Sequence, residues 1–302
     1  MKQTGLLIYY LMLTVFVNAQ NKAFFTNINE SELYMNPAAA GSGQATKINA
    51  VSRQQWVGYE GAPYTTILTG QFYADKLNSG YGFAVLNDKL GQENTLGCKL
   101  NYAYNITFTK TSSVAFGLGA GFINTWYNAQ TLIFEEFDPD NTVNSFTAFM
   151  PDFNTGMYFR HNFLQGGISF AKTLNYSKNN YEIINPWYTN IHIQYVYPVT
   201  QGFELMPVSD LIVASGDYIL NAGVIAGLNN KITTGIIYRV QESVNGILAY
   251  TFNNRLKVGY SYDFSTGKLT SYHSGSHEIF ISFMFDKKEE EEPFHYKSPR
   301  NF

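Results

Sequence analysis

The chain has 302 residues, of which 17% are aromatic and 14% charged, with a formal net charge of -3. Soluble domains carry about 25% charged residues, so this composition is too poor in charge for a surface lying wholly in water. A mean hydropathy of -0.17 without a second long apolar run excludes a helical membrane protein, and the charge balance gives no pull toward nucleic acid. Strands with one face toward lipid and the other toward water reconcile these facts.

Lys2, the apolar run Leu6 to Val17 and the compact residues Val17-Asn18-Ala19 have the layout of a secretory signal, with cleavage near Ala19. The apolar run is shorter than the roughly 20 residues that a membrane helix needs. Cys does not follow the cleavage point, which argues against a lipid anchor. Residues 20–45 contain no long periodic element and are expected to form a periplasmic arm or a partial plug.

From residue 46 the chain alternates with period two. Cys98, Leu100, Tyr102, Tyr104, Ile106 and Phe108 interleave with Lys99, Asn101, Ala103, Asn105 and Thr107. Val114, Phe116, Leu118 and Phe122 interleave with Ala115, Gly117, Gly119 and Gly121. Fourteen segments are predicted: 46–57, 64–74, 79–87, 95–108, 112–126, 151–161, 164–171, 188–199, 202–214, 216–228, 231–240, 243–252, 255–264 and 276–286. Their lengths suit tilted membrane strands, and aromatics near their ends, such as Tyr59, Tyr73, Tyr197 and Phe264, suit interfacial girdles. The expected fold is all-β, a transmembrane antiparallel up-and-down barrel over residues 46–286.

Barrels of this kind keep tight turns on the periplasmic side and put long loops outside. Short connections at 109–111, 162–163, 200–201, 229–230 and 253–254 are predicted on one side, and the Asn-Asn pairs tolerate the positive φ of two-residue hairpins. Connections at about 127–150, 172–187 and 265–275 are predicted on the other side. Parity places Arg53 in the lumen, where it can pair with an acid on a facing strand, together with Lys99, Arg160, Arg239, Arg255 and Lys257, and with Asp263 and Glu278. Residues 287–302 form a charged periplasmic tail, to be read either as solvated chain or as a docking peptide.

Little in the sequence points to chemistry. Cys98 is the single cysteine and reads as a packing residue. His273 and His277 lie in a loop and at a strand start without zinc-spaced partners. Asp138-Pro139-Asp140-Asn141 lacks the other positions of a calcium loop, and no Ser/His/Asp grouping stands out. Catalytic residues, metal and cofactor are therefore not expected.

Asn36-Pro37-Ala38-Ala39-Ala40-Gly41-Ser42 resembles the signature near the start of PorP/SprF proteins. Arg53-Gln54-Gln55-Trp56, then Gly61-Ala62-Pro63-Tyr64-Thr65-Thr66, are similar to that family's next block, and Asn87-Asp88-Lys89-Leu90-Gly91 and Ser276-His277-Glu278-Ile279 to later ones. Ala39 departs from the pattern where many relatives carry an aromatic. The resemblance implies an outer-membrane accessory of type IX secretion and gliding. Such a barrel would help export or anchor a large cell-surface protein, such as an adhesin, that carries a type IX C-terminal sorting domain. It would also contact periplasmic ring or lipoprotein components. Trp126, Tyr127, Phe134, Phe137 and Trp187 are the expected aromatic anchors for such a partner. The alternative function is an outer-membrane channel or a hydrophobic-ligand transporter.

Overall fold

The computed structural model describes residues 25–129, 144–178, 181–214, 217–267 and 270–286. In chain order the strands are β1 Thr46–Gln54, β2 Tyr64–Ala74, β3 Ser79–Leu90, β4 Glu93–Thr109, β5 Ser112–Tyr127, β6 Phe146–His161, β7 Leu164–Thr173, β8 Tyr176–Lys178 and β9 Tyr181–Ile183. They continue as β10 Trp187–Tyr195, β11 Tyr197–Thr200, β12 Phe203–Ala214, β13 Asp217–Leu228, β14 Ile232–Arg239, β15 Ser243–Phe252, β16 Leu256–Ser265 and β17 Ser276–Asp286. The small hairpin β8–β9 stands apart from the main sheet, and β10 and β11 are two halves of one wall strand, which leaves a wall of fourteen. Every wall strand pairs antiparallel with its neighbours in sequence, and β1 closes the barrel on β17, with Val51 opposite Phe280 on one side and Ile67 on the other.

The wall is polar inside and apolar outside, as period two in lipid demands. Leu100, Leu118 and Ile236 point outward at 72%, 64% and 66% exposure, while Arg53, Asn245 and Glu278 point inward and are at most 1% exposed. Strands β2, β15 and β17 have the expected bounds. Strand β1 stops at Gln54 because Trp56 takes φ +43, which an extended strand cannot carry. Strand β6 begins at Phe146 instead of 151. The Pro151 carbonyl accepts from Leu174 N–H, so the proline's missing donor points toward β7 just past Thr173, where that ladder has ended. The break at Val196 keeps one register, Gln194 opposite Val208 and Tyr197 opposite Leu205, and falls beside Pro207, which has no N–H to offer.

Thr46 and Asp286 sit at the same end as the turns at 75–78, 110–111, 162–163, 201–202, 229–231 and 253–255. Asn229 and Asn230 at φ 52° and 54°, and Asn253 and Asn254 at 50° and 53°, make the primed turns expected of them. Arg255 is a correction: it lies exposed in the last of these turns, with its N–H on the Phe252 carbonyl, and does not face the lumen.

The segment ahead of β1 is a plug, and the periplasmic arm is corrected for residues 25–45. Helix α1, Ile28–Met35, and short 3-10 turns at Pro37–Ala39 and Ser42–Gln44 run inside the barrel. Phe25 and Tyr34 pack against Val51, Ile67, Leu86 and Phe280 of the wall, and Ile28 packs against Val208, Ile225, Ile237 and Ile247. Burial of these side chains, each worth about 1.5–3 kcal/mol, draws the segment out of water.

Candidate functional site

The plug meets the wall at three levels. At the long-loop end, two arginines and two acids of the wall form a buried, charge-balanced group. Arg53 reaches Asp263 at 2.6 Å and Glu278 at 3.3 Å, and Arg239 reaches Asp263 at 3.3 Å. Glu278 accepts three hydrogen bonds from the plug: Thr26 N–H at 2.8 Å, Asn27 N–H at 2.8 Å and the Asn27 amide at 2.6 Å. Thr26 donates its hydroxyl to Asp263 at 2.9 Å and accepts from Arg53 at 3.0 Å. The acid expected opposite Arg53 is therefore a pair of acids, and their remaining lone pairs are taken up by the plug, as buried charge requires.

At the second level, Glu30 of α1 meets Lys47 at 2.7 Å and Lys257 at 3.1 Å. Lys99 pairs with Asp152 at 2.7 Å and lies 4.9 Å over the Tyr34 ring. Burial pushes the Glu30 carboxyl up, but the two ammonium groups outweigh it and hold it at about 2. Glu32, two residues on, feels Lys47 and Arg160, but they do not offset its burial. Burial dominates there and raises it to about 7 against a hydrogen bond from Tyr158.

These shifts have opposite signs in pH. The lowered Glu30 contributes stability that is whole above the ordinary carboxylate range and is lost only as pH falls through about 2. The raised Glu32 binds its proton more tightly folded than unfolded, so its effect is to lower stability as pH rises from about 4.5 to about 7. Wild-type protein is expected to show a higher thermal midpoint at pH 5 than at pH 8, and Glu32→Gln to lose part of that difference. An unchanged difference in the variant would contradict this account of Glu32.

The third level seats the motif that opens the family-like pattern. Asn36 caps the 3-10 turn by accepting from Ala38 N–H at 2.9 Å and donates to the Met157 carbonyl at 3.1 Å, while Ser169 donates to the Met35 carbonyl at 2.8 Å. Pro37 opens the turn, where no donor is required. Ala38, Ala39 and Ala40 are buried against a wall stripped of side chains. A Cβ on Gly117 would stand 2.2 Å from Ala38 N, on Gly80 1.9 Å from Ala40 O, and on Gly156 2.1 Å from the Asn36 amide oxygen. Gly41, at φ +68, packs on Gly80 as the chain leaves the seat.

The second block lies at the long-loop end. Gln55 N–H bonds the Pro63 carbonyl and Gly91 N–H the Gly61 carbonyl, both at 2.9 Å, and the Thr65 hydroxyl bonds Asp88. Trp56 packs on His273 at 6.2 Å and gives its N–H to Ser276 at 3.2 Å. The blocks scattered along the sequence thus meet in two places, the seat and the mouth. Of the expected anchors, Trp126 and Tyr127 end β5, and Tyr127 stacks on Phe146 at 5.7 Å. Trp187 is 66% exposed beneath Lys172. Phe134 and Phe137 lie outside the described residues. Among the described residues no group of three or more His, Cys, Asp or Glu could hold a metal ion.

The wall resembles solved outer-membrane barrels in fold. It superposes on the toluene transporter TbuX of Ralstonia pickettii with a TM-score of 0.53 at 12% identity, covering 88% of this chain and 95% of that one. The monoaromatic hydrocarbon channel CymD gives 0.53 at 13% identity over 88% and 94%. A FadL homologue of Pseudomonas aeruginosa gives 0.52 at 9% over 86% and 94%. No curated protein matches the sequence. Residues 17–283 match the family described as type IX secretion system membrane protein PorP/SprF. With nearly the whole barrel and its plug inside that match, the chain belongs to the PorP/SprF family of type IX secretion membrane proteins.

Proposed function

We propose that this barrel serves type IX secretion as a plugged docking protein, helping to export or anchor a large cell-surface protein, such as a gliding adhesin, through its C-terminal sorting domain. One observation carries the reading: the chain's own residues 25–41 lie buried within the lumen, so the surfaces most open to a macromolecular partner are the two ends. The long-loop end carries exposed Trp187 and the stacked pair Tyr127 and Phe146, aromatic anchors of the kind interfaces use. The opposite end, with the 287–302 tail beyond the described residues, suits the periplasmic ring or lipoprotein components of the machine. Signal cleavage near Ala19 delivers the chain to the outer membrane.

Deleting residues 129–145 is expected to leave the barrel inserted in the membrane while the cargo protein is released into the medium. Surface labelling of the barrel and blotting of cells and medium for the cargo check it, and cargo retained at wild-type level would contradict docking through this loop. A second reading, a channel or hydrophobic-ligand transporter, draws support from the likeness to TbuX and CymD. Against it, Lys47, Arg53, Lys99, Arg239 and Lys257 each face an acid, so the lumen offers little net charge to select an ion. Steady conductance of the purified protein in planar bilayers would favour that reading.

A further inference from the structure

Where β1 meets β17, the outward face of the wall changes character before it reaches the long-loop end. Cross-strand pairing sets Gln54 beside His277 on one side and Tyr64 on the other, and Tyr64 beside Lys89. One step deeper, Ser52 lies beside Thr66 and Thr66 beside Asn87. The step below that, Ile281, Ala50, Leu68 and Val85, is apolar throughout. On β12 to β16, by contrast, the last outward residues before the long loops are Val213, Tyr218, Tyr238, Val244 and Phe264, an apolar and aromatic girdle. Gln54, Asn87 and Lys89 are exposed, and Lys89 makes no ion pair among the described residues. The acids at this end of the same strands turn inward, Asp88 to the Thr65 hydroxyl and Glu278 to the plug. Glu60 belongs to the 55–63 loop beyond the strands. Amides and an ammonium turned toward hydrocarbon without partners are costly. A polar layer therefore covers them, reaching about 7 Å down the strands below Gln54 and Lys89.

We propose that this patch binds the phosphate-bearing headgroup of an outer-leaflet glycolipid, with the Lys89 ammonium on the phosphate and the Gln54 and Asn87 amides on neighbouring oxygens and sugar hydroxyls. The patch carries a positive charge and no outward acid on β1, β2, β3 or β17 to cancel it, so an anion complements it. Amides and hydroxyls both donate and accept, as sugar hydroxyls require. Ser52 and Tyr64 already bond each other at 2.9 Å, which leaves the two amides and Lys89 as the groups in need of a partner. A lipid held there lies along the joint between the first and last strands. The site is independent of cargo docking and shares with that reading only the orientation with long loops outward.

Native mass spectrometry of the full-length protein in detergent tests it, with diphosphoryl lipid A as the probe and the same lipid stripped of its phosphates as the comparison. Wild type is expected to retain the phosphorylated lipid in preference to the stripped one, and Lys89→Gln to lose about fivefold of that retention. Asn87→Leu, which keeps the charge, should lose part of it. Lys89→Arg should match wild type, as should Lys231→Gln, a change at an exposed residue of a short turn. Equal retention of the two lipids by wild type, or wild-type retention by both Lys89→Gln and Asn87→Leu, overturns the proposal. So does a membrane protein that copurifies with wild type and is lost from Lys89→Gln while lipid retention stays unchanged, since the patch is then a protein interface.

Discussion

Replacing Gly117 by valine is expected to turn a silent barrel into a conducting one. Gly117 sits in mid-wall between Ala103 of β4 and Gly156 of β6, and valine is at home in a strand. The lumen side, however, has no space for it. The first added carbon would lie 2.2 Å from Ala38 N, 2.5 Å from Ala38 Cα and 2.5 Å from Pro37 C, all backbone atoms that no rotamer change can move. Overpacking costs about 1–3 kcal/mol where neighbours can yield. Here the element able to yield is the plug, because the wall is fixed by ladders on both sides. Purified wild-type protein should show no steady current in planar bilayers, and Gly117→Val should show openings together with a lower thermal midpoint. Gly80→Val should act alike through Ala40, whereas Gly246→Ala, with nothing within 4 Å of the added carbon, should match wild type. Silence and unchanged stability in both valine variants would mean that the motif does not seat as described.

Glu278→Ala is expected to be the most destabilising single change in the wall. The carboxylate takes three hydrogen bonds from the plug and faces Arg53. Its loss would leave two buried guanidinium groups sharing Asp263 and would orphan the Thr26 and Asn27 donors. Breaking a buried pair by removing one partner costs about 3–5 kcal/mol, more than the attraction itself contributes, because the survivor stays desolvated. Urea unfolding in lipid vesicles reads the loss. The double variant Arg53→Met, Glu278→Leu removes both charges and should lose less than the two single changes combined, since Arg239 then retains Asp263. A Glu278→Ala protein within about 0.5 kcal/mol of wild type, the range of ordinary surface changes, would refute the account.

The wall was legible because lipid imposes its rule on every second residue. Leu100, Tyr102, Tyr104, Ile106 and Phe108 all face outward as their parity requires, and the Asn229-Asn230 and Asn253-Asn254 pairs mark their turns. The plug was not legible by the same means. Helix α1 has eight residues and no single apolar stripe, since Ile28 buries beside Val208 and Ile237, Tyr34 beside Val51 and Ile67, and Leu33 beside Ala103, while Glu30 turns to Lys47 and Lys257. Its partners are remote in sequence: Glu30 is answered by Lys257 and Asn27 by Ser261. A sign of it was nevertheless present on the wall. A water-filled lumen has no use for Val51, Ile67, Ile247 and Phe280 at inward positions, nor for glycine at 80, 117 and 156. Taken together, apolar and absent side chains on a polar face record the shape of something lying against it. The mouth was harder, because the pairing of Gly61 with Gly91 joins two loops by backbone alone.

The bond from Thr26 to Glu278 spans 252 positions of the chain. It ties the stopper ahead of the first strand to the last strand, whose pairing with the first also zips the seam. Until β17 arrives, the curling sheet has an open edge and the Thr26 and Asn27 N–H groups lack their acceptor Glu278, although the Thr26 hydroxyl already has Asp263 of β16. The strand that shuts the seam is thus also the one that supplies the stopper's last carboxylate.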